Sequence, residues 1–324
     1  MNRTPQQRCR GRRCLVRRVV FILRCRSSTG RVQPLRYGVH TLGGDDMGDE
    51  PKNPDDWSEN FGETNMDAYE DELVVPLFGP WAERLLDIVE VTTGQAVIDV
   101  ACGPGTVARL EAVRVGNAGD VVACDFSAEM LAIARSKPPV DGALIEYRLC
   151  PADALDARTD GFDLLTCQQG YQFFPDRPAA LVEMRRVLHP GGEVAIAVWA
   201  EFEEMGPWPA LAKAIAITFG VDVADAFRSG PWGLSDGDVI AGEVRAAGFD
   251  EVSVRREVVP IELDDVAHLV RTLGAAPIWS EITALTKGEF EQFLDEVDAA
   301  SATWQDSHGA IHGETISNII TAAN

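Results

Sequence analysis

From residue 96 onward, short apolar runs alternate with stretches whose apolar positions recur every three or four residues. The runs at 96–101 (AVIDVA), 121–125 (VVACD), 145–150, 163–168 (DLLTCQ) and 193–199 (EVAIAVW) predict strands, each ending at a turn signal or a polar residue. Nearly continuous apolar strands separated by helices are what a parallel sheet needs when both of its faces are covered. The pattern therefore predicts an α/β fold, a doubly wound, Rossmann-like and mostly parallel sheet.

Helices are predicted at 106–114 and 127–136, the second with Ser127 in the N-cap position ahead of Met130, Leu131 and Ile133. A third follows Asp176: Pro178 falls in its first turn, Leu181, Met184 and Leu188 form its buried stripe, and His189-Pro190-Gly191-Gly192 stops it. Upstream, 67–90 predicts helix in pieces, broken at Pro76, Gly79 and Pro80, with Trp81, Leu85, Leu86 and Ile88 as the packing face. Downstream, an Ala-rich helical stretch at 206–227 is flanked by Pro207, Pro209, Gly230 and Pro231. Then come a helix at 238–247, a strand at 251–259, helices at 264–273 and 287–300, and a β-prone end at 315–321 (TISNIIT). A chain that closes on a strand suits a sheet whose last member is antiparallel, inserted by a hairpin from the strand before it. The expected organisation is a helical cap over 47–84, a ligand-binding core over 85–200, and a helical lid with completion of the sheet over 201–324.

Charge sets the first 46 residues apart. They carry eleven Arg, no Lys and only Asp45 and Asp46, whereas the whole chain has a net charge of -22. So dense a block of like charge is expected to be a disordered extension, with Met47 a candidate start of the acidic protein. Its apolar run at 19–23 falls short of the roughly 7–15 residues of a signal-peptide core, while its composition also suits a mitochondrial transit peptide, and that reading stays open. The acidic remainder repels phosphate backbones, so nucleic acid is not the expected partner. No run nears the roughly 20 apolar residues that cross a bilayer, so stable membrane insertion is not expected. A small-molecule acceptor and a cytoplasmic location are. Cys9, Cys14 and Cys25 lie in the extension; Cys102, Cys124, Cys150 and Cys167 fall on or beside predicted strands, and with no CxxC pair they are expected to be packing residues in a reducing compartment, with no metal site.

The candidate chemistry gathers at strand ends. In the segment VIDVACGPGTVA, a strand runs into a glycine turn and a helix, and Gly103 and Gly105 let a ligand approach the backbone beside unpaired helix N–H groups. The glycines alone fit a dinucleotide site equally well. Asp99 ends an otherwise apolar strand; a buried charge needs a partner, which is either the cationic amino group of a ligand or the N–H groups of the loop. Asp125, at the end of the second strand, is placed to accept from two ribose hydroxyls. Phe126 and Met130 either cover an adenine face or belong to the core. Asp153, after the third strand, is placed to accept the exocyclic amine of adenine, or is an exposed loop residue.

The segments VIDVACGPGTVA, VVACDFSAEML, PADAL and FDLLTCQQGYQFFPDRPAALVEMRRVLHPGG resemble the successive motifs of class I S-adenosylmethionine-dependent methyltransferases, over about 120 residues, and are most similar to the type 11 or ubiquinone/menaquinone-biosynthesis-like small-molecule branch. The resemblance implies S-adenosylmethionine as cofactor. It implies that Asp99, Ala101, Gly103 and Gly105 line the methionine end, that Asp125 holds the ribose, that Asp153 and Ala154 meet adenine, and that Gln168 or Gln169 borders the reactive centre. Ala101 departs from the pattern, since many relatives have glycine there. No Asn-Pro-Pro-aromatic tetrapeptide follows the fourth strand, which argues against methylation of nucleic-acid bases.

The function expected is in-line methyl transfer to oxygen or carbon of a small molecule, where aligning acceptor and methyl supplies most of the acceleration. A nicotinamide-dependent oxidoreductase and a non-catalytic cofactor-binding protein are the alternatives. No catalytic base is assigned: His189 reads as a turn residue, and His268, His308 and His312 lie in the C-terminal half. Tyr171, Phe173 and Phe174 form either an acceptor wall or packing, and Trp208, Phe227 and Trp232 either a lid or core.

Overall fold

The computed structural model describes residues 70–276 and 278–324; the basic extension and the cap as far as residue 69 lie outside the described residues. The strands are β1 (Ala96–Val100), β2 (Asp120–Asp125), β3 (Ile145–Leu149), β4 (Phe162–Gln168), β5 (Leu188–Trp199), β6 (Asp250–Leu263) and β7 (Ile311–Ala323). A π-helical segment, Glu70–Phe78, leads into α1 (Gly79–Ile88). Then follow α2 (Thr106–Val115), α3 (Ala128–Ser136), α4 (Arg177–Val187), α5 (Trp208–Phe219), α6 (Val221–Ser229), α7 (Gly237–Ala246), α8 (Val266–Arg271), α9 (Trp279–Thr283) and α10 (Lys287–Ser301).

One sheet contains all seven strands in the order β3-β2-β1-β4-β5-β7-β6. The first five are parallel, and β7 enters antiparallel to both β5 and β6. This Rossmann-like α/β arrangement departs from the parallel dinucleotide order at β7. β1 is the middle of the five parallel strands, and Val97 to Val100 are buried on both faces, which is why its sequence shows no polar alternation.

The predicted helix starts are present as capping bonds. Ser127 accepts from the Met130 N–H, and Asp176 from the Ala179 N–H. Other expectations need correction. The 70–88 region is helical in two pieces that meet at Gly79, but Pro76 lies inside the π-helical segment and Pro80 in the first turn of α1, so neither proline breaks the run. The 206–227 stretch splits at Gly220, whose φ of 98° no helix can contain. His189-Pro190-Gly191-Gly192 follows the end of α4 but opens β5: Leu188 pairs with Phe162, and Gly191 and Gly192 exchange backbone bonds with Asn324. β6 runs on through Pro260 to Leu263, which is possible because it is an edge strand. β6 and β7 are joined through α8, α9 and α10, not by a tight hairpin.

Two apolar layers cover the sheet. One joins α1, α2 and the α5 and α10 helices to it, and the other joins α4 and α7. Trp208 is buried in the first layer and is core, while Phe227 and Trp232 are half-buried, packing edge-to-face on Phe202 and on each other against that layer. Cys102, Cys124, Cys150 and Cys167 are buried free thiols, as their strand positions predicted.

The Trp81 indole N–H donates to Thr315 Oγ1 at 2.7 Å, and Thr315 donates onward to the Val259 carbonyl at 3.1 Å, a buried chain linking α1 to β7 and β6. Trp81→Phe keeps the ring contact but deletes the donor, so it is expected to cost about 1–3 kcal/mol in urea unfolding, and Trp81→Ala more.

Candidate functional site

Where the parallel strands end, the backbone ladder continues into the loops. The Cys102 N–H donates to Cys124 O, Cys150 N–H to Asp125 O, and Gln169 N–H to Ala197 O, at 2.9–3.0 Å. These bonds bring the glycine turn, the Asp125 turn, the 150–156 loop and the Gln169 turn to one edge of the sheet.

Asp125 ties the first two together. Its carboxylate accepts from Gly103 N–H and Ser127 N–H, each at 2.8 Å. It is buried, and that burial raises its pKa against the lowering effect of these N–H donors. Gly103 has φ 53°, and a Cβ there would meet nothing within 4 Å, so the turn faces open space. Gly105 has φ 81°, and a Cβ would come within 2.8 Å of the Tyr147 hydroxyl. Only glycine meets both demands at Gly105.

Ala101 holds a left-handed conformation, φ 60°, which is the physical reason glycine suits this position. Its methyl group lies against Gly170, where an added Cβ would stand 2.5 Å away. The departure at Ala101 is thus accommodated by a glycine on the neighbouring turn. Gln169, also left-handed at φ 54°, is buried; its amide N–H donates to Ser317 Oγ at 2.8 Å while its amide oxygen has no partner. Gln168 similarly donates to the Phe78 carbonyl and leaves its amide oxygen unpaired.

Asp99 is 1% exposed. One carboxyl oxygen accepts from the Ala108 N–H in the first turn of α2, at 3.1 Å, and the other has no partner. Both sequence alternatives are therefore half met: a loop N–H takes one oxygen, and the second is left for something else. Nearby, fully buried, is Glu111 of α2, which the sequence reading passed over. Thr166, the cross-strand partner of Asp99, donates its hydroxyl to Glu111 at 2.8 Å, and the second Glu111 oxygen is also unpaired. Burial, then the charge of Glu111, then that of Asp125 push Asp99 well above the carboxylate range, and burial pushes Glu111 up to about 7. A signal for Glu111 was present: it falls between Val107 and Val115 at spacings of four, on the apolar face of α2.

The remaining candidates sit at the rim. Phe126 is 73% exposed, Met130 is half-buried, and Asp153 and Ala154 are exposed on their loop. A core role for Phe126 is thereby removed. Tyr171 turns away: it is fully buried in the second apolar layer, and its hydroxyl donates to Glu243 of α7 at 2.7 Å. Phe174 packs edge-to-face on Tyr171, whereas Phe173 is half-exposed. His189 bonds Asp163 near the start of β4, at the opposite end of the sheet.

The model of the ubiE/COQ5 methyltransferase family matches residues 63–225. A ubiquinone/menaquinone biosynthesis C-methyltransferase from Xanthomonas axonopodis pv. citri is 35% identical over 139 residues, 42% of this chain and 55% of that protein. One from Cupriavidus metallidurans is 28% identical over 207 residues, 61% and 79% of the two chains. A 2-phytyl-1,4-naphtoquinone methyltransferase from Thermosynechococcus vestitus is 38% identical over 130 residues, 40% and 57%. The chain spans about half the length of the first of these curated relatives.

Two measurements probe this geometry. Gly170→Ala should destabilise the protein by about 1–3 kcal/mol in chemical denaturation, and Ala101→Gly should recover much of that loss, a non-additivity that independent sites would not show. Glu111 has a raised folded-state pKa, so its stabilising contribution is present below the unfolded value near 4.5 and is lost as pH rises through about 7. Glu111→Gln should accordingly gain stability over the parent between pH 5 and pH 8, read as a thermal midpoint difference that grows across that window.

Proposed function

Because the chain belongs to the ubiE/COQ5 methyltransferase family, we propose that it transfers a methyl group from S-adenosylmethionine to carbon or oxygen of a small-molecule acceptor. The observation that carries this reading is the joining of the glycine turn to Asp125 at the carboxyl edge of the sheet, together with the open space over Gly103 and the unpaired buried oxygen of Asp99. A cofactor with a cationic amino group fits that oxygen, since an ammonium would supply the partner it lacks. A dinucleotide would instead bring pyrophosphate charge beside two buried carboxyl groups.

S-adenosylmethionine, when bound, supplies a methyl group already activated on a sulfonium. The chain's own residues would then bind and align. Asp99 takes the amino group, with Ala101, Gly103 and Gly105 giving the backbone approach. Asp125 keeps acceptor lone pairs for the ribose hydroxyls beyond those used by Gly103 and Ser127. Phe126 and Met130 offer an apolar face to adenine, with Asp153 and Ala154 at its polar edge. Gln168 and Gln169 hold unpaired amide oxygens toward which a hydroxyl or amino group of the acceptor could donate.

The relatives' names speak of quinone biosynthesis and a naphthoquinone, and carried to this chain they favour a quinone-like ring methylated on carbon. The position of His189, bound to Asp163 far from this edge, suits such an acceptor. An electron-rich ring carbon needs less help from a base than a phenol of pKa about 10.

Calorimetric titration of the full chain should show binding of S-adenosylmethionine and none of NAD or NADP. Asp125→Ala should weaken that binding about 10- to 100-fold, the scale of hydrogen bonds to a charged group. Release of S-adenosylhomocysteine in the presence of reduced quinones would identify an acceptor. Binding of a nicotinamide dinucleotide in place of the sulfonium compound would overturn the reading.

A further inference from the structure

Burying two carboxyl groups side by side without a cation is costly unless at least one stays protonated. Asp99 and Glu111 are in that position. They flank the Thr166 hydroxyl, each keeps one unpaired oxygen, and neither is exposed. Their other charged or titratable neighbours are Asp125 at the end of β2, the Cys102 thiol in the glycine turn, the Cys167 thiol on β4 and the Tyr147 hydroxyl on β3. Among the described residues, the bonds to the two carboxyl groups come from the Ala108 N–H and the Thr166 hydroxyl, and no basic side chain pairs with either. We propose that Glu111 is a positioning residue for the cofactor site, acting through Asp99: the two buried carboxyl groups share protons in the empty protein, and docking of a cationic amino group on Asp99 expels one to solvent.

The balance is simple. At pH 6 the empty pair is largely neutral, with a proton on each carboxyl. When an ammonium arrives, the Asp99 O–H bond breaks, its proton leaves to buffer, and the Asp99 carboxylate pairs with the ammonium while Glu111 remains protonated. The buried charge stays at zero. As Glu111 ionises near pH 7, its charge holds the proton on Asp99, so the parent still has one to expel there; with neutral Gln in its place Asp99 loses more of its proton before any cation docks, and less is expelled. The inference rests on the cofactor reading above, because it requires an amino group at Asp99.

Two experiments separate its failure from the failure of that reading. In the first, carboxyl carbon NMR follows the unliganded full chain through pH 4.5–8.5. A glutamate transition near pH 7 that disappears in Glu111→Gln is expected; a full set of glutamates titrating near 4.5 would overturn the proton-sharing pair with no cofactor involved. In the second, S-adenosylhomocysteine is titrated calorimetrically at pH 6 and at pH 7.4, each in two buffers of different ionisation enthalpy. Both stay below the range, about 7.7–8.0, where an α-amino group loses its own proton. The parent should release close to one proton per ligand and bind about tenfold more tightly at pH 7 than at pH 6. Glu111→Gln should match the parent at pH 6, release markedly less at pH 7.4 and show an affinity that levels off where the parent's still rises. Asp99→Asn should bind weakly at every pH and release none. Binding by the parent without proton release, or a Glu111→Gln profile parallel to the parent's, would overturn the proposal and leave Glu111 as packing. Should Glu111→Gln not fold, the NMR transition of the parent and the Asp99→Asn proton count decide. A parent that binds no S-adenosylhomocysteine at any pH overturns the cofactor reading instead.

Discussion

The carboxylate of Asp125 accepts from the Gly103 N–H of one turn and the Ser127 N–H of the next. Through these two bonds the end of β2 fixes both the glycine turn after β1 and the start of α3, whose cap is Ser127 itself. Backbone N–H groups this close to a buried sheet edge must find acceptors, and a loop that satisfied them with water would have no reason to hold one shape. A single charged side chain answers for both loops. The left-handed residues then follow in order: Ala101, Gly103 and Gly105 bend the first turn over the end of β1, and Gln169 bends the turn after β4 so that Gly170 can receive the Ala101 methyl group.

Much of this was legible in the sequence because it is local. Apolar runs marked the parallel strands, Ser127 and Asp176 marked the helix starts they cap, and the glycine turn with Asp125 stood at strand ends where ligands bind in open α/β sheets. What was not legible is non-local. That His189-Pro190-Gly191-Gly192 opens β5 depends on Asn324, more than a hundred residues away. The extension of β6 past Pro260 depends on its having a free edge, which only the sheet order reveals. The sequence leaves lid and core equally open for Trp208, Phe227 and Trp232 in their Gly- and Pro-flanked stretch, since what decides is Phe202, against which Phe227 and Trp232 pack, and the apolar layer that buries Trp208.

Glu111 shows the limit in its sharpest form. A charged residue on a helix is by habit assigned to the solvent face, although the spacing of Val107 and Val115 placed this one on the buried side. The sequence also cannot say that Thr166 of β4 lies opposite Asp99 of β1, since that pairing follows from register. Only the folded chain puts Asp99, Thr166 and Glu111 in one cluster.

Asp125 and Asp99 end adjacent strands and are equally acidic in a peptide, yet the fold treats them differently. Asp125 accepts from the Gly103 and Ser127 N–H groups against its burial, whereas Asp99 accepts from the Ala108 N–H alone among backbone donors and faces a second carboxyl group besides. Charge solvated by fixed N–H dipoles suits a residue that must stay anionic and shape two turns. If Asp99 takes a cationic amino group, as proposed, under-solvated charge suits it, because the energy withheld without the cation is recovered when the cation docks. On this view the unpaired oxygens of Asp99 and Glu111 are kept at a cost to stability, and that cost falls where ligand affinity can draw on it.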